Sequence, residues 1–229
     1  MSYTLGDLLT AARDRSPYFD KARVPRGPLA RFATDIQRDL IRKAAMRAPD
    51  LFTTTQVVTI QNPAQVGTPI TINANLEVVR VQTNYANNNP FPDLARVIPA
   101  SRQYDYETER AVYFLDGSMY LTGQAADWGN VASLTVFYVP LPVPFAAETD
   151  AWTLPDDAHE VFTARLALQM ARHVNGTPWD NERPQSPPIQ LDLMDFMAEA
   201  QRAEHDWFVA LVTQVRQARV ANRNTLTLP

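Results

Sequence analysis

Cysteine is absent from all 229 residues, which removes disulfides, thiolate nucleophiles and cysteine-ligated zinc or iron–sulfur sites together. Glycine is scarce, with seven in all. None of the seven stands in G-x-x-x-x-G-K-[ST], G-x-G-x-x-G or G-x-S-x-G, so a phosphate-cradling loop and a nucleophile elbow are both unsupported. Histidine occurs only at His159, His173 and His205, with no H-x-x-x-H pair. On one helix, fourteen residues separate the first two by about 21 Å, too far for a single metal ion. Surface or helix-cap histidines are the simpler reading, and no metal, no cofactor and no catalytic residue is expected. No apolar run of about 18 residues occurs, and Met1-Ser2-Tyr3 does not open a basic-then-apolar leader. The expectation is therefore a chain with no membrane span and no export signal.

What is present is a globular composition, 45% hydrophobic and 20% charged, with the charge sorted along the chain. Residues 13–47 carry ten Lys/Arg against four Asp/Glu, a balance of +6. Residues 207–229 carry Arg216, Arg219 and Arg223 with no acid, a balance of +3. Residues 48–206 carry eight basic against twenty acidic side chains, a balance of −12, and Asp7 completes the formal net charge of −4. Solvated helix faces account for basic ends of this size, and so does matching to an acidic partner surface.

Periodicity divides the chain into helical ends and a β-rich middle. Thr4 stands as an N-cap with Asp7 three residues on, and Leu5, Leu8, Leu9 and Ala12 follow at helical spacing up to Pro17. A second helix is predicted from Pro28, with Leu29, Phe32, Ala33, Ile36 and Leu40 on one stripe, stopping near Ala48 before Pro49. The period then becomes alternating, and strands are predicted over 56–60, 69–73, 76–83, 111–115, 118–122 and 132–139. Asp116-Gly117 marks a tight hairpin turn, and the polar, proline-bounded stretch 84–92 reads as an exposed loop. Leu141-Pro142-Val143-Pro144 leads out in extended form. A third helix follows Leu154-Pro155-Asp156-Asp157 and ends at Asn175-Gly176. Its apolar positions nearly encircle it, so it is expected to be the most buried. A proline-rich link over 177–188 precedes the last helix, predicted over 191–222, with Leu193, Phe196, Met197, Ala200, Trp207 and Leu211 at three-four spacing. That helix is too long for a small core, so its C-terminal third is expected to project. It gives way to Arg223-Asn224-Thr225-Leu226-Thr227-Leu228-Pro229, whose alternating Thr and Leu suit strand addition or groove docking on a partner.

The predicted fold class is α+β: a four-helix bundle interrupted by an antiparallel β-rich insertion, with a long C-terminal helix and an extended tail. Residues 1–50 supply the N-terminal helices, 51–145 the insertion, 146–222 the C-terminal helices and 223–229 the tail. Asp156, Asp157 and Glu160 could pair for acid–base chemistry, but acids that open a helix explain them more simply. Tyr104, Tyr106, Tyr113, Phe114, Phe137 and Tyr138 read as strand-core and cross-strand aromatics before they read as a ligand platform. The basic residues come without a nucleic-acid recognition motif.

The succession of motifs resembles the head-to-tail adaptor (connector) proteins of tailed bacteriophages, of the tail tubular protein A type. The residues that carry it are Thr4-Leu5-Gly6-Asp7-Leu8-Leu9; Phe114-Leu115-Asp116-Gly117-Ser118-Met119-Tyr120-Leu121-Thr122 before Leu134-Thr135-Val136-Phe137-Tyr138-Val139-Pro140; and Trp152-Thr153-Leu154-Pro155-Asp156-Asp157-Ala158-His159-Glu160 opening a helix, with the long final helix after them. The resemblance implies a structural virion protein rather than an enzyme. It would form a homo-oligomeric ring, commonly of twelve copies, between the portal protein above and a tail or nozzle protein below. Assembly would take place in the host cytoplasm, with the ring ending in the virion neck and genomic DNA passing through its lumen without sequence recognition. The last helix and tail would dock on the portal, which in this chain nominates Arg216, Arg219, Arg223, Leu226 and Leu228. The alternative is a tail-completion or baseplate-like module that binds a neighbouring tail protein or a glycan through the β-rich insertion.

Overall fold

A computed structural model describes residues 3–21, 24–61, 64–86, 93–101, 103, 109–176 and 190–225. The chain forms two units, Met1–Ala48 with Pro142–Pro229, and Pro49–Leu141. The first holds the long helices and the second holds two four-stranded sheets, so the class is α+β.

In the helical unit, α1 (Leu5–Arg13) starts on a complete capping box: the Asp7 N–H donates to Thr4 Oγ1 at 3.3 Å and the Thr4 N–H donates to Asp7 Oδ2 at 2.8 Å. Hydrogen bonds from the Thr4 backbone and hydroxyl hold the Asp7 carboxyl below the usual carboxylate range. Leu5, Leu8, Leu9 and Ala12 are buried, the face that their spacing predicts. α2 (Arg26–Arg47) starts two residues ahead of Pro28, because Pro25 is already fixed in an extended N-cap conformation. It stops at Ala48, whose backbone leaves the helical region ahead of Pro49. A 3₁₀ turn at Asp156–Ala158 leads into α4 (His159–Gly176), which buries Val161, Phe162, Leu166 and Met170 and packs against α1, α2 and the last helix, α5 (Leu193–Thr225). Phe162 meets Trp152 edge-on at 5.6 Å and Phe145 at 6.5 Å, so the segment that returns from the sheets is fixed on α4 by aromatic packing.

With 33 residues, α5 is about 50 Å long. It runs three residues past the expected end at Asn222 and takes Arg223, Asn224 and Thr225 into the helix. No proline intervenes to stop it, and helix ends are the least sharply encoded feature of a sequence. Ala200, Trp207, Phe208 and Leu211 are buried, whereas none of residues 212–217 is. No described helix is long and apolar enough to cross a membrane.

The other unit opens with α3 (Pro49–Phe52), a single turn that the sequence reading missed although proline suits a first helical turn. Its strands are β1 (Thr54–Thr59), β2 (Ile70–Thr71), β3 (Asn75–Tyr85), β4 (Asp93–Leu94), β5 (Arg96–Ile98), β6 (Ala111–Leu115), β7 (Ser118–Leu121) and β8 (Val131–Pro140). One sheet has the order β1-β8-β3-β4 and the other β2-β7-β6-β5. The expectation of an antiparallel insertion needs one correction: β5 runs parallel to β6, with Arg96 opposite Ala111 and Ile98 opposite Tyr113. The twelve residues between those strands supply the long crossover that a parallel pair requires. β4 and β5, at two and three residues, are too short to produce a readable alternation.

Both sheets contribute to one core, which includes Val58, Val81, Leu134 and Val136 from the first and Val112, Met119 and Leu121 from the second. Trp128 belongs to it at 1% exposure, and its indole N–H donates to Thr122 O at 2.8 Å. The β6–β7 turn is the predicted hairpin: Asp116 and Gly117 both have positive φ, 49° and 75°, as a type I′ turn demands.

A candidate partner-docking groove on the helical unit

The C-terminal end of α2 and the middle of α5 line an open groove of about 780 Å³. Lys43 and Arg47, one helical turn apart, form the α2 wall. Gln201, Glu204, His205, Phe208, Val212 and Arg216 recur at three-four spacing along α5 and form the other wall. Phe208 is the floor, 6% exposed, and the Arg47 guanidinium lies 3.9 Å above its ring. Val209 beside it is 52% exposed, which leaves apolar surface open between cations.

Charges at the seam of α2, α4 and α5 are largely consumed internally. Asp39 accepts from Arg165 at 2.6 Å and from Lys43 at 3.1 Å, and Glu204 accepts from Lys43 at 2.8 Å. Burial opposes ionisation of Asp39, but the hydrogen bonds from Arg165 and Lys43 outweigh it and hold the carboxyl below its ordinary range. Among the described residues no carboxylate pairs with Arg47 or Arg216, and both guanidinium groups line the groove beside its apolar floor. An arrangement of this kind suits an anionic surface that also carries apolar side chains.

The residues nominated from the sequence fall into three groups. Arg216 lines the groove and is exposed. Arg219 and Arg223 lie farther along α5, and Leu226 and Leu228 lie outside the described residues. The acids that open α4 serve as fasteners. Asp157 accepts from the Trp207 indole at 3.3 Å and from Gln214 at 3.2 Å, and Glu160 accepts from Arg15 at 2.8 Å, while Arg15 also pairs with Glu199 of α5. His159 packs on the Tyr3 ring at 4.4 Å, His173 faces the Phe32 edge at 6.4 Å, and His205 lines the groove. Among the described residues no cluster of three potential metal ligands occurs.

Of the aromatics, Tyr113 and Tyr120 stack at 4.9 Å across β6 and β7, Phe114 packs against the shared core, Arg80 covers Phe137 at 4.0 Å, and Tyr138 accepts from Asn73 at 2.7 Å. Tyr104 and Tyr106 lie outside the described residues. Sequence reading missed Lys43, Arg47, Phe208, Val209 and Val212 as one site. The available signal was the basic balance of residues 13–47 together with that of the last helix, but nothing local says that the two segments meet. The chain matches no family model and no curated protein.

Proposed function

We propose that this chain is a head-to-tail adaptor of a tailed bacteriophage: a four-helix bundle interrupted by a β-rich insertion, forming a ring, commonly of twelve copies, that joins the portal protein to a tail or nozzle protein. The observation that carries this reading is α5. The helix is about 50 Å long, its side chains are buried as far as Leu211, and none over residues 212–217 is buried. Arg216 is exposed, and the sequence from it onward is basic, with Arg219 and Arg223 and no acid, which suits an acidic surface on another protein. The portal contact is assigned to Arg216, Arg219, Arg223, Leu226 and Leu228. The balance of −12 over residues 48–206 suits a lumen that passes DNA without holding its phosphates. The ring belongs in the virion neck after assembly in the host cytoplasm.

A second reading, a tail-completion or baseplate-like module, draws support from the sheets. β1 has one strand neighbour among the described residues and carries Val57 at 64% exposure, features of an edge open to strand addition by a tail protein. Deleting residues 223–229 separates the two. The adaptor reading predicts that the truncated chain keeps its fold by circular dichroism and is no longer captured by the portal ring of the same genome. Undiminished capture removes the portal-docking assignment, and binding to a tail protein alone, through the sheets, favours the module.

A further inference from the structure

The groove between α2 and α5 is an apolar floor between cations, and the same chain carries a surface of opposite character. At the start of α5, Asp192 and Asp195 are exposed on either side of Met194, which is 69% exposed. Asp192 accepts the Met194 N–H at 2.8 Å, which fixes the first turn. No basic residue occurs between Gln190 and Gln201, so this end of the helix presents two carboxylates around one flexible, polarisable apolar side chain. The groove offers Arg47 and Arg216 around the exposed Val209.

We infer that the groove receives the acidic start of α5 from a second copy of this chain. Fifteen residues separate Met194 from Val209 on one continuous helix, about 22 Å along its axis, so a chain cannot place its own helix start in its own groove. The contact joins copies. It mates two different surfaces, so it is head-to-tail: each copy offers a groove to one neighbour and a helix start to the other, and the series closes into a ring where the rotation allows. The inference deepens the adaptor reading and rests on it for ring closure; it takes Arg216 for the contact between copies and leaves the portal contact to Arg219, Arg223, Leu226 and Leu228, so the two contacts are separable. Arg47 and Arg216 on one side and Asp192 and Asp195 on the other set the register of approach, and Met194 meeting Val209 and Phe208 supplies the desolvated centre.

The absence of cysteine makes the test clean, because an introduced thiol is the only one in the chain. Met194→Cys and Val209→Cys, both at exposed positions, are prepared as single variants, checked for unchanged thermal unfolding, and treated with a short bis-maleimide separately and as a mixture. The expected result is a covalent dimer in the mixture and little in either variant alone, and a ladder of multimers when both thiols are in one chain. Arg47→Glu in the Val209→Cys chain is expected to lower the yield several-fold, and Asp195→Arg in the Met194→Cys chain to restore it. Dimers that form only between two Val209→Cys chains, or no cross-link at high concentration, overturn the inference. A groove that serves an acidic partner protein instead gives no mixed dimer while Arg47→Glu still weakens capture by the portal ring. Mixed cross-links with no portal capture uphold the self-contact and remove the adaptor reading, and portal-bound rings without mixed cross-links do the reverse.

Discussion

Trp207 is the side chain on which the fastening of α5 turns, and replacing it by alanine tests that directly. It is 4% exposed, lies 5.0 Å from the Phe208 ring, and donates its indole N–H to Asp157 at 3.3 Å. Removing a buried tryptophan costs about 3–5 kcal/mol, through lost burial and the cavity left behind. Against a typical total of about 5–15 kcal/mol, that is a large share of the stability of the helical unit. Gln214 still donates to Asp157 in the variant, so the carboxylate keeps a partner and the loss is mainly one of packing. Trp207→Phe keeps a ring and gives up one long hydrogen bond, for which about 0.5–1.5 kcal/mol is expected. Denaturant unfolding measures the two losses, and amide exchange along residues 201–217 reports whether α5 loosens around the anchor. Trp207→Ala should lose at least twice as much as Trp207→Phe and exchange faster over that stretch. A loss under about 1 kcal/mol with unchanged exchange would refute the view that α5 is held by this turn.

Acid should weaken the helical unit through Asp39. Its folded pKa lies below the ordinary 3.8, so its contribution is fully present above that value and is lost as pH falls through the folded value. Thermal melts at decreasing pH should therefore fall less steeply for Asp39→Asn than for the parent chain, with the variant less stable near neutrality; parallel curves would contradict the assignment. In the sheets, Leu134→Ala empties a fully buried position in the shared core and should cost about 2–5 kcal/mol in denaturant unfolding, and a cost below about 1 kcal/mol would be inconsistent with that core. Gly123 has φ +85°, and an added Cβ would lie 3.0 Å from both Glu109 O and Asp127 Oδ2, so Gly123→Ala should destabilise by about 1–3 kcal/mol; a neutral result would place the backbone elsewhere.

The features readable from sequence were those whose cause is local. Thr4 and Asp7 form their capping box within one turn, Asp116-Gly117 specifies its own turn type, and the three-four spacing of Ala200, Trp207 and Leu211 locates the buried stripe of α5. What escaped depends on partners distant in sequence. The parallel β5–β6 pair is set by where β5 lands after β4, and Arg96 and Val97 on that strand are exposed, which gives the pattern nothing to show. The groove unites Lys43 and Arg47 with residues some 160 positions later, a meeting that follows from α2 and α5 packing around α4. Periodicity assigned Phe208 no role because the buried stripe already ran through Trp207 and Leu211. Its function is visible only with Arg47 lying on the ring.

The central claim, that this chain is a ring-forming adaptor on a portal, is tested most directly by mixing it with the portal ring of the same genome and determining the mass and symmetry of the product by native mass spectrometry and electron microscopy. A closed ring of this chain capping the portal, absent when residues 223–229 are removed, is the predicted result; no complex with both components at micromolar concentration would contradict it.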